Sequence, residues 1–150
     1  MTLLDPPPPT KSHALRITLV VVIMALIVGG WFAFRYYPEK RAVTHFLDAL
    51  VAGDTTHAYQ LWQPSASYKM GDFLADWGPG GYYGPVKSYE ILRAKSPKES
   101  NGVIVSVAVS PFSPMPGAND AAKSRRTKVI PVFVDPGSKA LSFSPTTPED

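Results

Sequence analysis

Apolar positions in this chain fall into three successive patterns, and each predicts a different element. The first is an unbroken run, Ile17 to Phe34 (ITLVVVIMALIVGGWFAF), with no charged residue in 18. A helix of that length rises about 27 Å, against a hydrocarbon core of about 30 Å. Arg16 before the run can extend its guanidinium to the headgroups. Trp31, Tyr36 and Tyr37 around Arg35 supply an interfacial aromatic belt ahead of Pro38. We therefore expect a transmembrane helix over residues 14–37, with the lipid bilayer as its partner. A cleaved signal peptide would have an apolar stretch of about 7–15 residues and small residues at its end. Here the run is longer and closes on Gly-Gly-Trp-Phe-Ala-Phe-Arg-Tyr-Tyr, so the reading is an uncleaved signal anchor.

The second pattern has helical spacing. Val43, Phe46, Leu47, Leu50 and Val51 recur on one face. Gly53 then offers a position where left-handed backbone costs nothing, and Asp54 offers an N-cap for the next helix. That helix, over 55–62, places Ala58, Leu61 and Trp62 on one side, and Pro64 ends it. A third, short helix is expected over 72–77, where Phe73 and Trp77 are four apart.

The third pattern alternates. After a glycine–proline loop, strands are expected over 86–95 and 102–111. In the second of these, Val103, Val105, Val107 and Val109 form one apolar face. Residues 96–101 (SPKESN) read as the hairpin turn, and 113–124 as a long, mobile connection. A third strand is expected over 125–134, where Pro131 indicates an edge or a bulge. Asp135-Pro-Gly-Ser is a turn signal before a short fourth strand at 140–143. The order predicts an α+β fold: two to three helices packed on one face of a curved antiparallel sheet of about four strands. It divides the chain into a proline-rich tail (1–13), the anchor (14–37), a domain (38–144) and a disordered C-terminal tail (145–150).

Composition narrows this picture. Hydrophobic residues make up 45% of the 150 and charged residues 18%, which is the balance of a folded domain plus an apolar segment. The absence of cysteine excludes a disulfide framework, thiolate metal sites and a cysteine nucleophile. The formal charge is +3, and the anchor region contributes much of it, so nucleic acid is not expected as a partner. The one basic cluster, Lys123, Arg125, Arg126 and Lys128, reads as the solvated end of a strand. Lysine and arginine flank the apolar run almost evenly, and a short N-terminal tail ordinarily stays in the cytoplasm. The domain is therefore expected outside the cell membrane, periplasmic or extracellular. The segment Pro6 to Pro9 reads as a solvated spacer, with a polyproline ligand as the alternative.

An acid–base site in this region would draw on His45, Asp48, Asp54 and His57. His45 and Asp48 are one turn apart and off the apolar face, which reads as a solvated pair. Asp54 is explained by its capping position, and His57 in the next turn by exposure. Their spacing matches no metal motif such as His-Glu-x-x-His, so no metal or cofactor is expected. The loop GPGGYYG lacks the Gly-Lys-Ser/Thr ending of a phosphate loop.

FLDALVAGDTTHAYQLW, residues 46–62, resembles the opening of NTF2-like (cystatin-like) domains through Phe46, Leu47, Ala49, Leu50, Gly53, Asp54, Ala58, Tyr59 and Leu61. The resemblance covers residues 39–144 and implies a curved sheet wrapped around a helix to form a cone with an open mouth. The family contains isomerases, dehydratases, transport factors, secretion scaffolds and bacterial domains of unknown function. It therefore implies a fold more than a chemistry. A tail, a single span and an external domain of this kind are similar in architecture to inner-membrane scaffolds of type IV secretion. The expected function is a membrane-anchored, non-catalytic interaction or scaffold module in an envelope complex or homo-oligomer. The alternative is an apolar ligand in the cone, bound or turned over, with Trp62, Trp77, Tyr82 and Tyr83 as its lining. That alternative requires those rings to surround a common cavity of about 300 Å³ or more.

Overall fold

The structure, a computed structural model, describes residues 13–98 and 101–144. Nearly all of the proline-rich tail, the C-terminal tail and two residues of the hairpin turn lie outside the described residues. The chain divides into two compact units, Met1–Arg35 and Tyr36–Asp150.

The first unit contains α1 (His13–Phe34), 22 residues long. It is one helix long and apolar enough to cross a membrane, near the N-terminus. Its apolar side chains are exposed on every side, from Leu15 at 74% to Trp31 at 69%. A helix apolar all round has no face suited to water.

The second unit is α+β. Three helices, α2 (Tyr37–Val51), α3 (Thr55–Leu61) and α4 (Met70–Trp77), precede β1 (Ser88–Lys95) and β2 (Val103–Ser110). A single turn of helix, α5 (Ala121–Ser124), leads into β3 (Lys128–Val134) and β4 (Leu141–Phe143). The strands form an open, curved antiparallel sheet in the order β1-β2-β3-β4.

Local chemistry explains the helical start. Pro38 sits in the first turn of α2, where its missing N–H costs no bond. At the other end Gly53 has φ +78°, and the Gly53 and Asp54 amides donate to the Leu50 and Ala49 carbonyls. That pair of bonds is a Schellman closure. The Asp54 carboxylate then accepts from the His57 amide at 3.0 Å and starts α3, as expected of an N-cap. α4 begins two residues earlier than the sequence suggested, because the Asp72 carboxylate reaches back to the Lys69 amide at 2.8 Å.

The core lies between α2 and the sheet. Val43, Phe46, Leu47 and Leu50 are buried against Val105, Val107, Ile130 and Val132. Val51, expected on the same face, is 44% exposed. All of β2 is buried, including Ile104, Ser106 and Ala108 on the face without the valines. Alternation alone does not show this, because a central strand takes cover from both of its neighbours.

Three other expectations needed revision. The connection over 113–124 ends in α5, capped by Asp120, whose carboxylate accepts from the Lys123 amide. Arg125 and Arg126 precede β3 and are not part of it. The bulge anticipated at Pro131 is in β1 instead, between Ile91 and Arg93, while β3 runs in unbroken register with β2. Pro131 lies just outside Val132–Val134, the stretch paired with β4, so the proline removes no bond of that ladder.

Candidate functional site

Aromatic rings form a continuous series from the core to the surface. Phe46 on α2 lies 4.9 Å from Trp62 and 5.0 Å from Trp77, measured between ring centroids. Trp62 and Trp77 meet edge to face at 5.1 Å, and Phe143 of β4 touches both. Tyr83 continues the series at 5.0 Å from Trp77, and Tyr82 stands edge-on to Tyr83 at 4.8 Å. Trp62 and Trp77 are 3% and 2% exposed, whereas Tyr82 is 67% exposed. The series is therefore core at one end and surface at the other.

The loop carrying Tyr82 and Tyr83 is folded back on α4. Their amides donate to the Ala75 and Asp76 carbonyls at 2.8 and 2.7 Å. A side chain at Gly84 would meet the Gly78 carbonyl oxygen at 1.8 Å, so only glycine permits this approach.

All four residues proposed as a ligand lining are thus brought together, but they pack on one another. Trp62 borders an open groove of about 430 Å³ with Tyr68 and Phe143. Trp77 borders a recess of about 200 Å³ with Leu50 and Val86. Tyr83 borders a cleft of about 280 Å³ with Gly84, Pro111, Arg125, Arg126 and Lys128. None of these three spaces is shared by the four rings.

The third cleft was not legible as a site in the sequence. The Lys128 ammonium donates to the Tyr82 carbonyl and lies over the Tyr82 ring at 3.8 Å. Arg126 and Lys123 flank the Phe112 ring at 5.5 and 5.8 Å. A basic cluster expected to be merely solvated is therefore ordered on aromatic faces. Lys123 is neutralised by Asp120 at 3.0 Å, and the same ammonium, followed by the Lys123 amide, holds the Asp120 carboxyl below its usual range. Arg125, Arg126 and Lys128 have no acidic partner among the described residues.

The polar groups of the first helices have structural partners. Asp48 does not pair with His45; it accepts the Tyr89 hydroxyl of β1 at 2.5 Å. His45 accepts instead from Arg41 at 3.4 Å, and His57 is exposed. Burial, then the bond to Asp48, pushes the Tyr89 hydroxyl up to about 12. Tyr68 donates to Asp76 at 2.7 Å, and burial followed by that bond raises it strongly. Burial, with the neighbouring Tyr82, raises Tyr83 as well. These phenols stay protonated at neutral pH, and those of Tyr68 and Tyr89 act as donors, which is the opposite of what an activated base requires. No group of three His, Cys, Asp or Glu residues that could hold a metal ion occurs among the described residues.

Compared with family models, with curated proteins and with solved structures, the chain has no match.

Proposed function

We propose that this chain is a single-pass membrane protein displaying a small NTF2-like module that serves as an interaction or scaffold domain in an envelope complex. In this reading α1 is a signal anchor in the cell membrane, and residues 38–144 lie on its outer side, periplasmic or extracellular. The NTF2-like assignment is supported by the Gly53–Asp54 junction between α2 and α3 and by the helices-then-meander order.

The observation that carries the interaction reading is the end of the aromatic series. The exposed Tyr82 ring lies under Lys128, and Tyr83 next to it borders a cleft with Arg125, Arg126 and Lys128, three cations with no acidic partner among the described residues, a combination suited to contacts with another molecule. The ring column behind it fixes that surface in place.

Affinity purification of the full chain from detergent-solubilised membranes tests this. Reproducible co-purifying partners, or a defined homo-oligomer, are expected. A strictly monomeric protein with no reproducible partner would overturn the reading. Fusing an export-dependent reporter enzyme to the C-terminus tests sidedness separately: activity is expected, and silence places the domain inside.

A further inference from the structure

We propose that the cleft between Tyr83, Pro111 and the segment Arg125–Lys128 docks an acidic segment of a partner protein. Carboxylates would pair with Arg125, Arg126 and Lys128, and an apolar side chain would lie against Tyr83 and Pro111. The proposal rests on the interaction reading above and names the chemistry of its partner.

Charge distribution is the first argument. The whole chain carries 15 basic and 12 acidic residues, so the excess is small. Yet four of the basic residues fall between 123 and 128, and among the described residues only Lys123 is offset by an acid there. The other three border one cleft. Converged cations of one sign repel each other, and a complementary anion relieves that cost. Two guanidinium forks suit carboxylates, which they bind in bidentate pairs.

Pre-organisation is the second. Lys128 is held by the Tyr82 carbonyl and ring, and its ammonium keeps donors to spare. Arg126 is oriented over Phe112. Anchored cations lose less freedom on binding than free ones do. The Tyr83 ring is backed by Trp77 and Phe143, so the apolar wall is equally fixed.

The lining decides between partner classes. The cleft is at the end of the sheet where Val109 faces Lys128 and Ser88 faces Ser110. The Tyr83 and Pro111 walls add apolar surface that a bare phosphate would not use.

The test is fluorescence anisotropy of a labelled Glu-Asp-Glu-Phe-Glu-Asp-Glu peptide with the full chain in neutral detergent. Saturable binding is expected, weakened at least tenfold in R125A/R126A and unchanged in R93A/K95A on β1. Both changes are at the surface, and near-UV circular dichroism checks that the fold persists. R125E/R126E should bind the Lys-for-acid version of the peptide, a rescue that a merely structural role would not produce. Equal weakening by R93A/K95A, or binding of pyrophosphate or anionic-lipid nanodiscs with the peptide silent, would overturn the proposal. Absent peptide binding while partners still co-purify overturns the cleft proposal alone; absence of any partner overturns the broader reading.

Discussion

Replacing Lys139 should expose how α2 is fastened to the sheet. Glu39 is 6% exposed, and its Oε1 accepts from the Lys139 ammonium at 2.7 Å across 100 residues of sequence. The other oxygen, Oε2, is buried with no hydrogen-bond partner among the described residues. In K139M the carboxylate keeps its burial and loses the one cation that pairs with it among the described residues. Removing one member of a fully buried pair costs about 3–5 kcal/mol. The Lys139 side chain is 37% exposed, so water partly screens the site, and about 2–3 kcal/mol is expected. In E39M the ammonium can turn to solvent, and the orphan oxygen disappears, so the cost should be about 1 kcal/mol. The double variant should also lie within about 1 kcal/mol of the parent, because an apolar pair fills the same space. The assay is urea unfolding of the full chain in micelles, followed by tryptophan fluorescence, since Trp62 and Trp77 are buried. If the single effects simply add, with coupling below about 0.5 kcal/mol, the two groups do not act as a pair and the reasoning fails.

Three further outcomes are expected. Tyr89 has its folded pKa raised to about 12, so its share of stability is full below the ordinary tyrosine value of ~10 and is lost as pH rises through that window. Unfolding midpoints measured from pH 8 to 12 should therefore fall less steeply in Y89F than in the parent, and parallel curves would disprove the raised pKa that burial and the Asp48 bond produce. Gly53→Ala and Asp54→Ala should each cost about 1 kcal/mol in the same urea assay, one through the φ of +78° and the other through the lost cap; a neutral effect in both would show that the α2–α3 junction is not stabilised this way. Gly84→Ala places a methyl against the Gly78 carbonyl and should displace the Tyr82–Tyr83 loop, lowering near-UV circular dichroism and stability together. An unaltered spectrum would mean that the loop can shift without disturbing the rings.

The elements themselves were legible because each rests on local chemistry. Helical spacing, the Gly53–Asp54 junction, valine alternation and the Asp135 turn are all written within a few residues of where they act. The Asp135 carboxylate does accept from the Ser138 amide and hydroxyl at 2.6 and 2.7 Å. What the pattern could not show was contact across long separations. Asp48 with Tyr89, Glu39 with Lys139 and Lys128 with Tyr82 are partners 41, 100 and 46 residues apart. For that reason a cluster of four basic residues read as solvated surface. The block KSRRTK beside an aromatic loop was a signal, but only the fold places the two together.

The connectivity of the sheet also bears on how the domain is made. Each strand pairs with the next in sequence, so the meander can assemble hairpin by hairpin. α2 is different: its apolar face is covered by strands that are synthesised after it. Until β2 and β3 have emerged, Leu47 and Leu50 lack the sheet they bury against, and Phe46 has only the rings of Trp62, Phe73 and Trp77 beside it. The helices must therefore wait, exposed, while the C-terminal half arrives. Nascent chains halted before residue 134 should be sticky and protease-sensitive, and completion of β3 should end that vulnerability.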